Sequence, residues 1–245
     1  MNARGIPGFL GGALLDLLLP PRCHICRTQC SGADPLHICD DCTAQLPFIT
    51  EPFCSVCGVP FSATGDSHPC GRCLTDPPPF QAARAVFTHT GSCRDLLHAF
   101  KYAGQAHLRR PLGLLAARTL VSFAGHCRAD LLLPVPLHRA RLRSRGFNQA
   151  LLLAELLSRH WQIPLQRQAL LRTRPTVPQM ELDRNARLHN LNDAFAVASP
   201  ALVADRRIIL VDDVTTTGST LRECALVLKR AGAAAVFAVT ISHAP

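Results

Sequence analysis

Two groups of residues in this 245-residue chain have types and spacings that do chemistry. The first is Asp212-Asp213-Val214-Thr215-Thr216-Thr217-Gly218-Ser219-Thr220, which follows the apolar run Ile208–Val211. A buried strand delivering two adjacent carboxylates points them to different sides, because side chains alternate along a strand. Five hydroxyl residues and one glycine then lead into a helix amino terminus. Unpaired backbone N–H groups there, with the helix dipole and the hydroxyls, form a cradle for a monophosphate. Carboxylates just ahead of it suit vicinal sugar hydroxyls, or a hydrated magnesium ion between them and a diphosphate. The combination describes a pocket for a 5-phosphorylated ribose. A nucleotide-hydrolase loop is excluded, since no Gly-Lys pair occurs in the chain, and Gly-x-Gly-x-x-Gly is equally absent.

The second group is cysteine. Cys23-x2-Cys26 is followed after twelve residues by Cys39-x2-Cys42, and Cys54-x2-Cys57 after twelve by Cys70-x2-Cys73. Each member of the second set lies 31 positions after its counterpart, as His68 does after His37, so the segment is an internal repeat. Zinc takes four soft donors in a tetrahedron, and two such knuckles per ion supply them as thiolates. The linker Thr43–Phe53, with Pro47 and Pro52, favours sequential pairing over an interleaved cross-brace. Both sets would leave no open position, so the metals are structural. Their binding free energy, ~10–16 kcal/mol per ion, stands in for a core that so short a segment cannot build. Cys30, His24, His37 and His68 read as loop residues, and Cys93, Cys127 and Cys224 as small buried hydrophobes.

The elements that must hold these groups follow from periodicity. Ala82–Thr88 reads as a strand, Cys93–Tyr102 and Leu108–Ala124 as two helices, and Leu131–Pro136 as an all-apolar strand. Asn148–Trp161 carries a helical apolar stripe, Arg207–Val211 is a buried strand, Ser219–Ala231 a helix closed by Lys229, Arg230 and Gly232, and Ala234–Ile241 a last strand. The alternation predicts an α/β fold, a mostly parallel sheet with helices on both faces, preceded by a small double zinc ribbon. Ligands of such a sheet bind beyond the carboxyl ends of its strands. The expected divisions are a short amphipathic helix at 1–20, the double ribbon at 21–76 and the α/β domain at 80–245, with Pro77-Pro78-Pro79 as a stiff spacer.

Charge divides the same way. Residues 1–80 carry 4 Lys/Arg against 7 Asp/Glu, whereas 81–245 carry 22 against 10, so affinity for polyanions belongs to the second part. Nearly all its cations are arginine, whose planar donor fork suits phosphate. Arg139, Arg141, Arg143 and Arg145 alternate at strand spacing, or lie in a loop before the next helix. Alternation would put them along one edge able to track a nucleic-acid backbone, with a solvated basic face as the competing reading. Ile6–Leu19 is broken by Pro7, glycines and Asp16, so it is too short and interrupted to span a bilayer, which needs ~20 apolar residues. It lacks a signal-peptide pattern, and the expected location is the cytoplasm.

Residues 208–220 resemble the ribose-phosphate signature of type I phosphoribosyltransferases. The whole layout resembles the competence-associated ComF family, which joins a zinc-ribbon module to such a domain. The matching residues are the cysteine repeat, Phe100-Lys101-Tyr102-x-Gly104, Pro134-Val135-Pro136-Leu137-His138, Arg145-Gly146-Phe147-Asn148-Gln149 and the aspartate pair. The resemblance implies that Asp212 and Asp213 grip the ribose hydroxyls and that Thr215, Thr216, Thr217, Gly218, Ser219 and Thr220 hold the 5-phosphate. It places the pyrophosphate loop at Pro136-Leu137-His138-Arg139, and a mobile catalytic flap at 172–179, carrying Arg172 and Arg174. Lys101 with Tyr102 is a candidate to reach the pocket from the side. Two function classes stay open. One is a magnesium-dependent phosphoribosyltransferase that displaces pyrophosphate from phosphoribosyl pyrophosphate toward an unread acceptor. The other is a non-catalytic protein that keeps the pocket for regulation and holds single-stranded DNA through Arg141, Arg143 and Arg145, alongside DNA-import proteins. Either would act in competence or in use of imported DNA.

Overall fold

The computed structural model describes residues 20–30, 35–102, 104–174 and 194–244. Residues 1–19 of the expected amino-terminal helix, and 175–179 of the expected flap, lie outside them. The chain separates into two compact units, one ending at Leu46 and one beginning at Pro47. The second ribbon therefore belongs to the same unit as the α/β sheet.

The repeat seen in the sequence is a repeat of hydrogen bonds. In the first ribbon Cys23 N–H donates to the Thr28 carbonyl, Arg27 N–H to Cys23 and His24 N–H to His37. In the second, the same bonds join Cys54 to Val59, Gly58 to Cys54 and Ser55 to His68, every donor and acceptor displaced by 31. The short helices α1 (Asp40–Ala44) and α2 (Gly71–Thr75) are displaced by the same amount. Each begins one residue after a metal-type cysteine, so its start is set by the knuckle rather than by a side-chain cap.

In the second unit, β1 (Ala82–Thr88), β2 (Leu131–Pro134), β5 (Arg207–Thr215) and β6 (Ala235–His243) form a parallel sheet in the order β1-β6-β5-β2. A short antiparallel pair, β3 (Leu170–Arg172) and β4 (Phe195–Val197), stands beside it. The central strands β5 and β6 are apolar on both faces, as strands covered on both sides must be. Ile208, Leu210, Val236 and Ala238 share a core with Leu221, Cys224 and Leu228 of α8 (Ser219–Arg230). On the other face Phe237 meets the Phe123 ring of α5 (Val121–Cys127) edge-on at 6.4 Å. The single helix expected over 108–124 is two: α4 (Arg109–Thr119) ends at Leu120, and α5 starts again after it.

Three helices aim side chains at the carboxyl ends of the strands. α3 (Gly91–Tyr102) buries Cys93, Leu96, Leu97 and Phe100, an i, i+3, i+4, i+7 stripe, which leaves Lys101 and Tyr102 in its last turn. α7 (Gln149–Trp161) is capped by Asn148, whose Oδ1 accepts from Ala150 N–H at 3.0 Å while its Nδ2 donates to the Val135 carbonyl at 3.1 Å. That one side chain ties the helix start to the end of β2. Between them, Arg139–Arg145 forms α6. The strand-spaced arginine edge considered from sequence is thereby corrected. His138 caps α6 by accepting Ala140 N–H at 3.3 Å, and Gly146 ends it at φ 85°. Residues two apart on a helix diverge by about 200°, and those four apart by about 40°.

Candidate functional site

Cys23, Cys26, Cys39 and Cys42 bring their sulfurs within 4.8 Å of one another, and Cys54, Cys57, Cys70 and Cys73 do the same. Pairing is sequential. The Cys26 and Cys39 sulfurs are 3.6 Å apart, those of Cys57 and Cys70 3.8 Å. A tetrahedron with Zn–S bonds of ~2.3 Å has edges of about 3.8 Å, so both quartets fit zinc as structural ions. Burial opposes the Cys23 thiolate, yet N–H groups of Cys39, Cys26 and Ile25 outweigh it and lower its pKa to about 6. Cys54 reaches about 6 in the same way, through Cys57, Cys70 and Val56. One preorganised thiolate per quartet is thus built by the backbone.

Beyond the carboxyl ends of the four parallel strands opens a cavity of about 800 Å³. His89 lines it after β1, Val135, Pro136 and Leu137 after β2, residues 212–216 and 218–221 from β5 into α8, and Ala244 after β6. Strand β5 continues through both aspartates to Thr215, four residues further than expected from sequence. By alternation, Asp212 shares the α8 side of the sheet with Ile208 and Leu210, and Asp213 the opposite side with Ile209 and Val211.

The two acids meet different surroundings. Asp213 is 8% exposed, and its Oδ2 lies 3.1 Å from Lys101 Nζ. Asp212 Oδ1 accepts the Asp213 N–H at 2.8 Å. Burial and then the Asp213 carboxylate push the Asp212 pKa up to about 7, offset only partly by that N–H, Lys101 and Arg172. His89 joins the lip with Nδ1 2.9 Å from Ser242 Oγ. Burial and then Lys101 lower its pKa, against the pull of Asp213, so the ring is neutral at pH 7.

Gly218 makes the turn from β5 into α8. Its φ of 74° is the left-handed region that glycine enters freely. It precedes α8, where the Ser219 N–H donates to Thr217 Oγ1 at 3.4 Å, and Thr215, Thr216, Ser219 and Thr220 line the cavity wall at the helix start. Thr217 does not line the cavity; its hydroxyl lies 2.6 Å from Ser219 Oγ and orients it.

The facing wall comes from α6 and α7. Arg141 and Arg145, one turn apart, line the cavity, whereas Arg139 and Arg143 are exposed and do not. Arg145 donates to Gln149 Oε1 at 2.9 Å and stands 5.0 Å over the Tyr102 ring. Gln149 is 1% exposed, and its Nε2 has no hydrogen-bond partner among the described residues. Arg172, in β3, lines the cavity and packs over Phe195 at 5.3 Å, while His138 and Arg174 do not line it. The structure thus brings together both aspartates, Thr215, Thr216, Gly218, Ser219, Thr220, Pro136, Leu137, Arg141, Arg145 and Arg172. Sequence reasoning passed over His89 and singled out Gln149 only within a motif. The available signals were a polar residue just past a strand and a glutamine opening an otherwise apolar helix.

A family of double zinc ribbon domains matches residues 14–74. The DNA utilization protein YhgH of Escherichia coli is 38% identical over 173 residues, covering 68% of this chain and 74% of that protein. Competence protein F of Haemophilus influenzae is 34% identical over 166 residues, 66% of this chain and 72% of that one. The chain belongs to this family of competence and DNA utilization proteins. A third member, the competence protein ComFC of Bacillus subtilis, is 32% identical over 152 residues, covering 62% of this chain and 60% of that one. Among solved structures, the chain is similar to the glutamine phosphoribosylpyrophosphate amidotransferase of B. subtilis at 17% identity and TM-score 0.36, over 58% of this chain and 30% of that one. A purine phosphoribosyltransferase from Pyrococcus horikoshii matches at 18% identity and TM-score 0.34, over 53% and 80%. Among the described residues, no helix is long and apolar enough to cross a membrane.

Proposed function

We propose that the cavity binds a 5-phosphorylated ribose, as phosphoribosyl pyrophosphate or a related ribose phosphate, in the service of DNA utilization. The observation that carries this reading is the pairing of an acid lip with a hydroxyl-rich turn at the start of α8 in one cavity at the strand ends. Thr215, Thr216, Ser219, Thr220 and the first N–H groups of α8 would receive the 5-phosphate, and Asp212 and Asp213 the ribose hydroxyls. Arg141, Arg145, Arg172 and the Gln149 amide would face the other end of the ligand, donors all, as a diphosphate requires. In transfer, the C1–O bond to the diphosphate breaks and an acceptor lone pair replaces it. The arginines would stabilise the charge gathering on the departing oxygen, usually the largest electrostatic contribution.

Magnesium commonly accompanies a sugar diphosphate. Among the described residues, Asp212 and Asp213 are the only carboxylates lining the cavity, and Asp213 already holds an ammonium at 3.1 Å. The pair does not fit a protein-bound divalent ion, and no step is assigned to one.

A second reading keeps the cavity without catalysis and lets single-stranded DNA lie across its mouth. It is favoured by Tyr102, which is 64% exposed beneath the Arg145 guanidinium. Calorimetric titration with phosphoribosyl pyrophosphate tests the first reading: saturable heat is expected, removed by Asp213→Asn, and its absence refutes it. A pyrophosphate-release assay over a panel of acceptors then separates the two. The DNA reading predicts a log–log salt dependence of oligonucleotide affinity near 0.7 per phosphate, flattened by Arg141→Gln.

A further inference from the structure

We propose that Lys101 is the resident counter-cation of the acid lip, so that the cavity takes its ribose phosphate without a protein-bound divalent ion. The inference rests on the ribose-phosphate reading for its ligand, and on the Lys101–Asp213 pair for its substance. Lys101 and Lys229 are the only lysines of the chain, and Lys101 reaches the cavity from the last turn of α3. The carboxyl end of a helix carries partial negative charge and favours a cation there. Phe100, fully buried with its ring 5.6 Å from that of Phe147, fixes the turn from which the side chain extends.

Both charged groups are largely withdrawn from water, with side-chain exposures of 19% for Lys101 and 12% for Asp213. A buried ion pair is compensated only while both partners stay, and removing one leaves the other charge stranded. A divalent ion arriving at Asp213 must therefore expel the ammonium or sit beside it, and each choice is unfavourable. A neutral hydroxyl has no such conflict. It can donate to the other Asp213 oxygen while Oδ2 keeps Lys101. The ammonium has three donors, so the same group can hold Asp213 and a ligand phosphate together.

The pair can be tested before any sugar is added. Zinc-loaded protein is titrated with Mn²⁺ and followed by electron paramagnetic resonance, Mn²⁺ serving as a visible stand-in for magnesium. Wild type and Lys101→Arg are expected to show no Mn²⁺ site at the lip. Lys101→Met is expected to gain one, about tenfold or more tighter than any in wild type, and to lose it again when Asp213→Asn is added. A wild-type Mn²⁺ site abolished by Asp213→Asn, or a Lys101→Met protein that folds and gains none, overturns the proposal. In parallel, ribose 5-phosphate is titrated with and without Mg²⁺. Wild-type affinity should change less than about threefold, and Lys101→Met should weaken about tenfold without Mg²⁺ and recover with it. Silence of the wild type in both buffers removes the ribose-phosphate reading, while the Mn²⁺ result still decides the role of Lys101.

Discussion

The two ribbons are built from the same bonds and set in different surroundings. The first is held by hydrogen bonds among residues 21–46, such as Cys30 N–H to Pro21 and Thr43 N–H to Cys39. The second adds ties to the sheet of its own unit. Ala83 N–H donates to the Val56 carbonyl at 2.7 Å, Arg84 donates to Ser55 at 3.1 Å and lies over the Phe53 ring at 4.5 Å, and Arg222 pairs with Asp76 at 2.7 Å. One residue exchange records the difference. Arg27 and Gly58 occupy the same knuckle position, both at positive φ, 66° and 75°. A Cβ at Gly58 would lie 2.5 Å from the Ala83 carbonyl oxygen. The repeat supplied two equal modules, and contact with β1 required a glycine in one of them.

The largest test of that contrast is metal loss. Cys23→Ser and Cys54→Ser should each lower bound zinc from two equivalents to one by elemental analysis. A structural zinc is worth ~10–16 kcal/mol, as much as a whole domain's stability. Cys54→Ser should therefore also collapse the calorimetric unfolding transition of the 47–245 unit, while Cys23→Ser leaves its midpoint in place. Equal effects on that transition would erase the distinction. Next in size is the knuckle: Gly58→Ala should cost about 2–3 kcal/mol in denaturant unfolding, through strain and the carbonyl clash. Arg27→Gly, which relieves the same backbone strain, should be neutral or stabilising by up to ~1 kcal/mol. Smallest is the partly exposed ion pair, where Arg222→Gln should change stability by under ~1 kcal/mol.

Much of this was legible from residue spacing. The offset of 31 announced both the metal quartets and, as it proves, their hydrogen bonds. The run Ile208–Val211, apolar at every position, could only be a strand covered on both faces, which placed the aspartates at its end. What stayed hidden depends on contacts between distant segments. Arg139–Arg145 alternates like a strand, but His138 and Gly146 cap it as a helix, which splits the arginines into two pairs on opposite sides. The Lys101–Asp213 pair joins residues 112 positions apart, and neither local pattern implies the other. Leu120 interrupts a stripe whose periodicity runs on without a break, so the division between α4 and α5 carries no local sign.

Ribose 5-phosphate and 2-deoxyribose 5-phosphate, titrated by calorimetry against the zinc-loaded protein, test the central claim most directly, because the two differ by one hydroxyl. If the acid pair holds vicinal hydroxyls, the deoxy sugar leaves a buried acceptor unmatched, at a cost of ~1–3 kcal/mol. The prediction is affinity at least about fivefold weaker for the deoxy sugar, a gap that closes in Asp213→Asn. Equal affinities in the wild-type protein would contradict it.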